Sequence, residues 1–155
     1  MFSFGKAGQL FCQPLQNSTT EADVRYLLDT NTCIDVLRRR EPVLSHIRSI
    51  SRDDCAVSTV TTFELLVGAE KSADPIGEKA KIGEFVRTLT ELAFDPFAAS
   101  QAAQVRAQLE TRGLSIGPYD ILLAGHALAA NRTFVTDNVG EFSRVPGLAI
   151  ENWRA

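Results

Sequence analysis

The sequence predicts one α/β domain, a three-layer α/β/α sandwich around a central, mainly parallel sheet of four to five strands. Short apolar runs alternate with segments of helical spacing along most of the chain. Strands that are separated by helices favour right-handed crossovers and parallel pairing. A length of 155 residues fits a single domain with a substantial core.

The first 23 residues do not follow this alternation. They contain Gly5, Gly8, Pro14 and a polar run at 17–20, without a clear hydrophobic period. We interpret residues 1–23 as an amino-terminal extension of unknown role and residues 24–155 as the folded domain. The sequence leaves open whether the extension is native, follows from a misassigned start or was added to the chain.

The predicted elements follow one another in a strand–helix order. Apolar runs predict strands, and Pro42, Pro75, Pro96 and Pro118 lie where helices can begin, since proline is tolerated in a first helical turn. Thr61 and Glu64 have the spacing of a capping box, which predicts that a helix opens at Thr61. The predicted strands are 26–28, 56–60, 92–94, 133–136 and a short edge strand at 148–152; the predicted helices follow residue 29, span about 42–50, begin at 61, follow Pro75, span 96–113 and run from 118 to about 131.

Composition excludes several classes of protein. A 45% hydrophobic and 23% charged chain is typical of a globular domain. A net charge of −3 and a pI near 5.4 argue against coating nucleic acid by bulk electrostatics, and we interpret the arginine run 38–40 as a solvated helix end. Cys12, Cys33 and Cys55 lack disulfide or zinc spacing, which favours a reducing cytoplasm. No membrane-length apolar run or export signal is present in the sequence.

Four acidic residues adjoin apolar, strand-like or helix-start segments. Asp29 follows residues 26–28, Glu64 follows the second predicted strand, Asp120 lies at a helix start, and Asp137 follows the strand at 133–136. In open parallel sheets, ligands bind outside the carboxyl ends of the strands. We therefore expect these acids to converge.

Each acid also has a local explanation. Asp29 can cap a helix or form an Asx turn, and Glu64 can complete the capping box. Asp120 can interact with the helix dipole, and Asp137 can belong to a turn. Four separate local explanations would require unrelated acids to fall at the same edge of the sheet by chance. A single site explains all four positions together.

Converging carboxylates favour a hard divalent cation. Oxygen ligands select Mg²⁺ or Mn²⁺, whereas zinc prefers His or Cys, and His46 and His126 do not form such a set. We expect packing or exposure, rather than catalysis, for His126. A carboxylate-bound Mg²⁺ activates water and neutralises charge on a phosphodiester, so the pattern indicates phosphodiester hydrolysis with one or two metals.

Four motifs carry a resemblance to a known family: 27–31 (LLDTN), 62–65 (TFEL), 116–127 (IGPYDILLAGHA) and 136–138 (TDN). In this order they resemble the PIN-domain ribonucleases of the VapC toxin family, over about residues 25–153. Residues 116–127 and 141–148 are most similar to the branch that cuts initiator tRNA in its anticodon loop.

The resemblance implies a PIN-like fold, an Mg²⁺- or Mn²⁺-dependent endoribonuclease, a homodimer, a VapB-type antitoxin and an RNA substrate, with initiator tRNA as the candidate. It assigns Asp29, Glu64 and Asp120 as metal-binding catalytic acids. Thr30, Asn31 and Thr136 match the small polar residues that support them.

The fourth acid departs from the family pattern. Many relatives carry Thr-x-Asp, but here Asn138 occupies the third position and Asp137 precedes it. We assign Asp137 as the fourth catalytic and metal-binding acid, with Asn138 as a supporting residue; Asn138 and Glu141 are the alternatives for that place.

Two other functions are compatible with strand-end aspartates. One is a phosphoryl-transfer α/β domain, although residues 29–31 lack the Asp-x-Asp spacing of a haloacid-dehalogenase nucleophile and acid. The other is an inactive PIN-like binding module, against which the retention of three separated acids argues.

Overall fold

The computed structural model describes residues 24–155, so the predicted extension 1–23 lies outside the described residues. Five strands form one sheet in the order β3-β2-β1-β4-β5, and every neighbouring pair is parallel. The predicted α/β fold and parallel sheet are confirmed. The strands are β1 Tyr26–Leu28, β2 Cys55–Ser58, β3 Thr90–Leu92, β4 Thr133–Val135 and β5 Ile150–Glu151.

Helices connect the strands and complete the outer layers. They are α1 Thr30–Leu37, α2 Val43–Arg48, α3 Thr59–Glu70, α4 Pro75–Arg87, α5 Pro96–Thr111, α6 Pro118–Ala130 and the short α7 Val139–Phe142, with one 3₁₀ turn at Arg52–Asp54. Prolines begin α4, α5 and α6, as predicted. Helix α7 was not predicted, since four residues carry too little periodicity.

The sheet is covered on both faces because its side chains alternate. Tyr26 and Leu28 of β1 pack into the core beneath α1 to α4, whereas Leu27 packs into the core beneath α5 and α6. Gly125 lets α5 and α6 approach closely, since an added Cβ would lie 2.3 Å from the Ala102 Cα. Within residues 24–155, no helix combines the length and apolar content needed to cross a membrane.

The predicted boundaries differ most clearly from the structure at helix α3 and strand β3. Helix α3 begins at Thr59, where strand 56–60 was expected to continue, because the Ser58 hydroxyl accepts from the Val60 N–H at 3.1 Å and caps the helix. Strand β3 spans Thr90–Leu92 instead of 92–94, with Leu92 aligned with Ser58. The Phe94 N–H leaves the ladder and donates to the Thr59 hydroxyl at 3.0 Å.

The strand order places a topological switch point, where open parallel sheets form a ligand-binding crevice, between β1 and β4 at the carboxyl edge of the sheet. From β1 the chain builds the sheet toward β2 and β3, and it later returns to place β4 on the other side of β1. Such a reversal between neighbouring strands is where ligands bind in open parallel sheets. Asp29 and Thr136 lie directly after β1 and β4.

Candidate active site

Asp29 lies buried at this crevice, with 5% of its surface exposed. Its Oδ1 accepts from the Thr30 N–H at 2.7 Å and caps α1, and its Oδ2 accepts from the Thr136 hydroxyl at 2.7 Å. Asp29 therefore caps α1 and is also held by Thr136, which follows the neighbouring strand β4. The local explanation and the site explanation do not compete here.

The surroundings of Asp29 disfavour its charge. Burial is the main cause that raises the pKa of Asp29 from 3.8 to about 6, against hydrogen bonds from Thr136 and Thr30 that lower it. The negative charges of Asp120 and Glu64 are smaller causes of the same rise. These two effects indicate that the three acids lie close enough to repel one another.

Glu64 reaches the site from within α3. The Thr30 hydroxyl donates to Glu64 Oε1 at 2.7 Å and lies 3.3 Å from the hydroxyl of buried Thr61. Because α3 begins at Thr59, Glu64 is not the third residue of the helix, and the predicted capping box is wrong. Thr61 is a further site residue whose Thr-x-x-Glu spacing had suggested only a cap.

Asp120 lies in the first turn of α6, as predicted. Burial is the largest cause that raises the pKa of Asp120 to about 6, and the charges of Glu141 and Glu64 together with a hydrogen bond to Glu141 contribute to the same rise. Glu64 thus interacts with both Asp29 and Asp120. The acid that follows β1 and the acids in α3 and α6 therefore influence one another's charge.

The two residues considered for the fourth acid have different surroundings. Asp137 Oδ2 accepts from Arg154 Nη1 at 2.5 Å, and the same guanidinium binds Asp35, which has 2% of its surface exposed. Glu141, in α7, contacts Asp120 and accepts from Asn138 Nδ2 at 2.9 Å. The structure thus brings Glu141 beside Asp120 and pairs Asp137 with an arginine.

The supporting residues are placed unevenly. Thr30 and Thr136 each donate to one of the acids, and the Asn138 N–H donates to the Thr136 hydroxyl at 3.1 Å. Asn31 is exposed in the first turn of α1. Thr32, which the motif did not single out, donates to the Val135 carbonyl at 3.1 Å and ties α1 to β4.

His126 has a packing role, as expected. It is buried on α6, its Nδ1 lies 2.8 Å from the Ser58 hydroxyl, and the Phe94 ring meets it edge-on at 5.6 Å. Burial lowers the pKa of His126, which favours the neutral ring. His46 stacks on Trp153, with ring centroids 4.3 Å apart.

The donor set of the site consists of oxygen atoms. Carboxylates of Asp29, Glu64, Asp120 and Glu141 are accompanied by hydroxyls of Thr30 and Thr136. Over residues 24–155, no group of three or more His, Cys, Asp or Glu side chains has the arrangement of a complete metal-binding set. The cluster is therefore an acidic crevice without a preformed coordination shell.

Comparisons with known proteins agree with this architecture. The PIN domain family model matches residues 26–148. The chain is 37% identical over 130 residues to the tRNA(fMet)-specific endonuclease VapC of Salmonella typhimurium, covering 84% of this chain and 98% of that protein. It is 39% identical over 131 residues to Ribonuclease VapC2 of Haemophilus influenzae strain Rd, with the same coverage.

Solved structures are similar in fold. The chain superposes with a TM-score of 0.80 and 37% identity on a chain of DNA-bound VapBC from Salmonella typhimurium, covering 84% of this chain and 98% of that one. For VapBC2 from Rickettsia felis bound to a promoter DNA fragment, the TM-score is 0.78 at 32% identity, covering 84% and 99%. This chain belongs to the PIN-domain family, among the VapC ribonuclease toxins of VapBC toxin–antitoxin systems.

Proposed function

We propose that this VapC protein is an Mg²⁺- or Mn²⁺-dependent endoribonuclease in which Asp29, Glu64 and Asp120 form the metal-binding core. One observation carries the proposal. Carboxylates from three separate elements converge at the reversal of strand order, and the charges of Glu64 and Asp120 raise the pKa of Asp29. A divalent cation at this position would remove the repulsion.

The residues fit Mg²⁺ better than a metal that needs a closed protein shell. Mg²⁺ takes one or two carboxylates and keeps several of its waters, so it does not require three ligating side chains in contact. The hydroxyls of Thr30 and Thr136 hold Glu64 and Asp29 at the crevice. A zinc site would instead call for His or Cys ligands, and the site consists of carboxylates and hydroxyls.

The chain's own residues position the reaction. When bound, the metal ion would activate water and neutralise charge on the phosphodiester. Asp29 and Glu64 would hold the ion, each oriented by a threonine hydroxyl. Asp120 would complete the core from the start of α6.

The fourth acid divides between two residues. Asp137 was assigned from sequence, and its pairing with Arg154 supports a role in anchoring the carboxyl-terminal segment. Glu141 contacts Asp120 and is held by Asn138, which supports Glu141 as the fourth acid. We propose Glu141 as the fourth acid, with Asn138 as the residue that positions it. Asn31, which is exposed, remains a proposed supporting residue.

The relatives support a substrate and partners for this chain. The Salmonella protein's name as a tRNA(fMet)-specific endonuclease supports initiator tRNA as the substrate, and an unpaired anticodon loop presents accessible phosphates and bases. The VapBC complexes support a VapB-type antitoxin as partner. We further propose a homodimer, residues 24–155 as the nuclease domain, and a cytoplasmic location, which the buried free thiols of Cys33 and Cys55 support.

The proposal is tested with purified, antitoxin-free protein and cellular RNA. We expect cleavage that requires Mg²⁺ or Mn²⁺ and that Asp29→Asn and Asp120→Asn abolish without unfolding the protein. Asp53→Asn, which removes an exposed carboxylate from the 3₁₀ turn, is the matched control and should retain activity. Cleavage that needs no metal and survives both substitutions would refute the proposal.

Substrate choice and the fourth acid need separate measurements. Sequencing of RNA ends after brief expression in cells should reveal one dominant cut in initiator tRNA, and scattered messenger RNA cuts would contradict the tRNA assignment. In a metal titration, Glu141→Gln should weaken binding more than Asp137→Asn. The reverse order would restore Asp137 as the fourth acid, and a folded, metal-binding protein without cleavage would favour the inactive binding module.

A further inference from the structure

Two exposed aromatic residues are the chain neighbours of two acids of the site. Phe63 precedes Glu64 on α3, and Tyr119 precedes Asp120 on α6. Their ring centroids are 5.7 Å apart, with planes tilted by 53°, so the two rings contact each other across the two helices. The ring pair is therefore built from the same two helices that supply two of the acids.

The ring pair remains largely in water. Phe63 has 48% of its surface exposed and Tyr119 has 45%. Exposed apolar side chains that lie together, unlike scattered single ones, are candidates for a binding surface. The mutual contact fixes the two rings while leaving much of their surface available.

We propose that Phe63 and Tyr119 form a stacking platform for an unpaired RNA base next to the scissile phosphate. The inference rests on the proposed nuclease function and names the residues that select its single-stranded substrate. Unpaired bases stack on aromatic rings in proteins that recognise single-stranded RNA. Because Phe63 and Tyr119 are the chain neighbours of Glu64 and Asp120, a strand whose phosphate reaches these acids would bring a neighbouring base near the pair.

The charge of the protein explains why such a platform is needed. The chain carries a net charge of −3, and the crevice itself is lined by carboxylates. Electrostatic attraction to the RNA backbone is consequently weak around the reacting phosphate. Stacking on a neutral ring supplies binding that salt does not screen, and it requires the base to be unpaired.

RNA binding by the full-length chain tests the platform. The probe is a synthetic stem–loop with the anticodon loop of initiator tRNA, and fluorescence anisotropy is measured with Ca²⁺ replacing Mg²⁺. Phe63→Ala and Tyr119→Ala should each weaken binding about 5- to 100-fold. Tyr119→Phe should retain binding because the ring remains, and Phe63→Leu should lose it because an aliphatic chain has no π-face.

One control variant and two further measurements separate stacking from other causes. Phe97→Ala removes an aromatic residue with 40% exposure from α5 and should leave RNA binding unchanged. The ratio of wild-type to Phe63→Ala affinity should stay constant as salt increases, since stacking releases no counterions. With abasic nucleotides scanned through the loop, one position should abolish the difference between wild type and Phe63→Ala.

The outcomes distinguish this inference from the proposed function. Stacking-dependent RNA binding without Mg²⁺-dependent cleavage would support the platform and contradict the nuclease. Cleavage and binding that are indifferent to both alanine substitutions would overturn the platform and leave the nuclease standing. Sedimentation velocity should give the same oligomeric state for all variants. Dissociation caused by Phe63→Ala or Tyr119→Ala would assign the ring pair to contact between copies and overturn the inference. Failure of the wild type to bind the stem–loop would also overturn it.

Discussion

Asp29→Asn should stabilise the metal-free protein at about pH 8, although it removes an acid that we propose to be catalytic. Burial of Asp29 is the main cause that raises its pKa from 3.8 to about 6, which corresponds to about 3 kcal/mol at 1.36 kcal/mol per pKa unit. Asparagine caps helices as well as aspartate does, and its amide oxygen can still accept from the Thr30 N–H. Its amide nitrogen can donate to the Thr136 hydroxyl. We expect a net gain of about 1–3 kcal/mol.

The sign of the effect determines its pH dependence. Because the pKa of Asp29 is higher in the folded than in the unfolded protein, its contribution to stability is complete below about pH 4. That contribution is lost as the pH rises through about 6. The difference in the free energy of unfolding between Asp29→Asn and wild type should therefore be small at about pH 4. It should increase between about pH 4 and 6 and remain constant above about pH 6.

Urea unfolding followed by circular dichroism in EDTA provides the assay. Asp53→Asn serves as the control, since it removes an exposed carboxylate and should leave the free energy of unfolding unchanged at every pH. Added Mg²⁺ should stabilise wild type by mass action and stabilise Asp29→Asn much less. A variant that is less stable than wild type at about pH 8, or a difference that is equally large at about pH 4, would refute the electrostatic reasoning.

Two further predictions concern packing and the carboxyl-terminal segment. Gly125→Ala should destabilise the protein by about 1–3 kcal/mol or more in urea unfolding, because the new Cβ would lie 2.3 Å from the α5 backbone. Gly140→Ala is the control, since a Cβ at Gly140 meets free space. Equal stabilities of the two variants would contradict the close contact between α5 and α6. Arg154→Ala should lower the free energy of unfolding by about 1–3 kcal/mol near neutral pH, because buried Asp35 loses the guanidinium that donates to both of its carboxylate oxygens. The loss should become smaller as the pH falls, because hydrogen bonding to Arg154 lowers the pKa of Asp35 in the folded protein. Arg106→Ala, which breaks an exposed helix pair, should change little, and an equal loss there would contradict the role of burial.

Some features of the fold were predictable because they depend on local periodicity. Apolar runs and proline positions identified all five strands and the starts of the three proline-led helices. The alternation of strands and helices implied the parallel sheet, and that sheet implied convergence at its carboxyl edge. Asp29 was predictable as a strand-end acid, since it comes directly after β1.

Local signals misled where two starts competed. Ser58 and Thr61 can each cap a helix, and the sequence pattern favoured Thr61 because Glu64 lies three residues later. Tertiary structure chose Ser58, whose hydroxyl caps α3 and also contacts His126. The earlier start placed Glu64 more than one turn into the helix, where Thr30 holds it.

The sequence by itself determined a layered α/β domain with acids at its strand and helix ends, because hydrophobic period and strand-end position are encoded residue by residue. Only the tertiary structure decided which acids meet. Arg154, 17 residues after Asp137, pairs with that carboxylate, while α7 brings Glu141 to Asp120. A side chain's direction depends on partners that are distant in the chain, and neither spacing nor composition records those contacts.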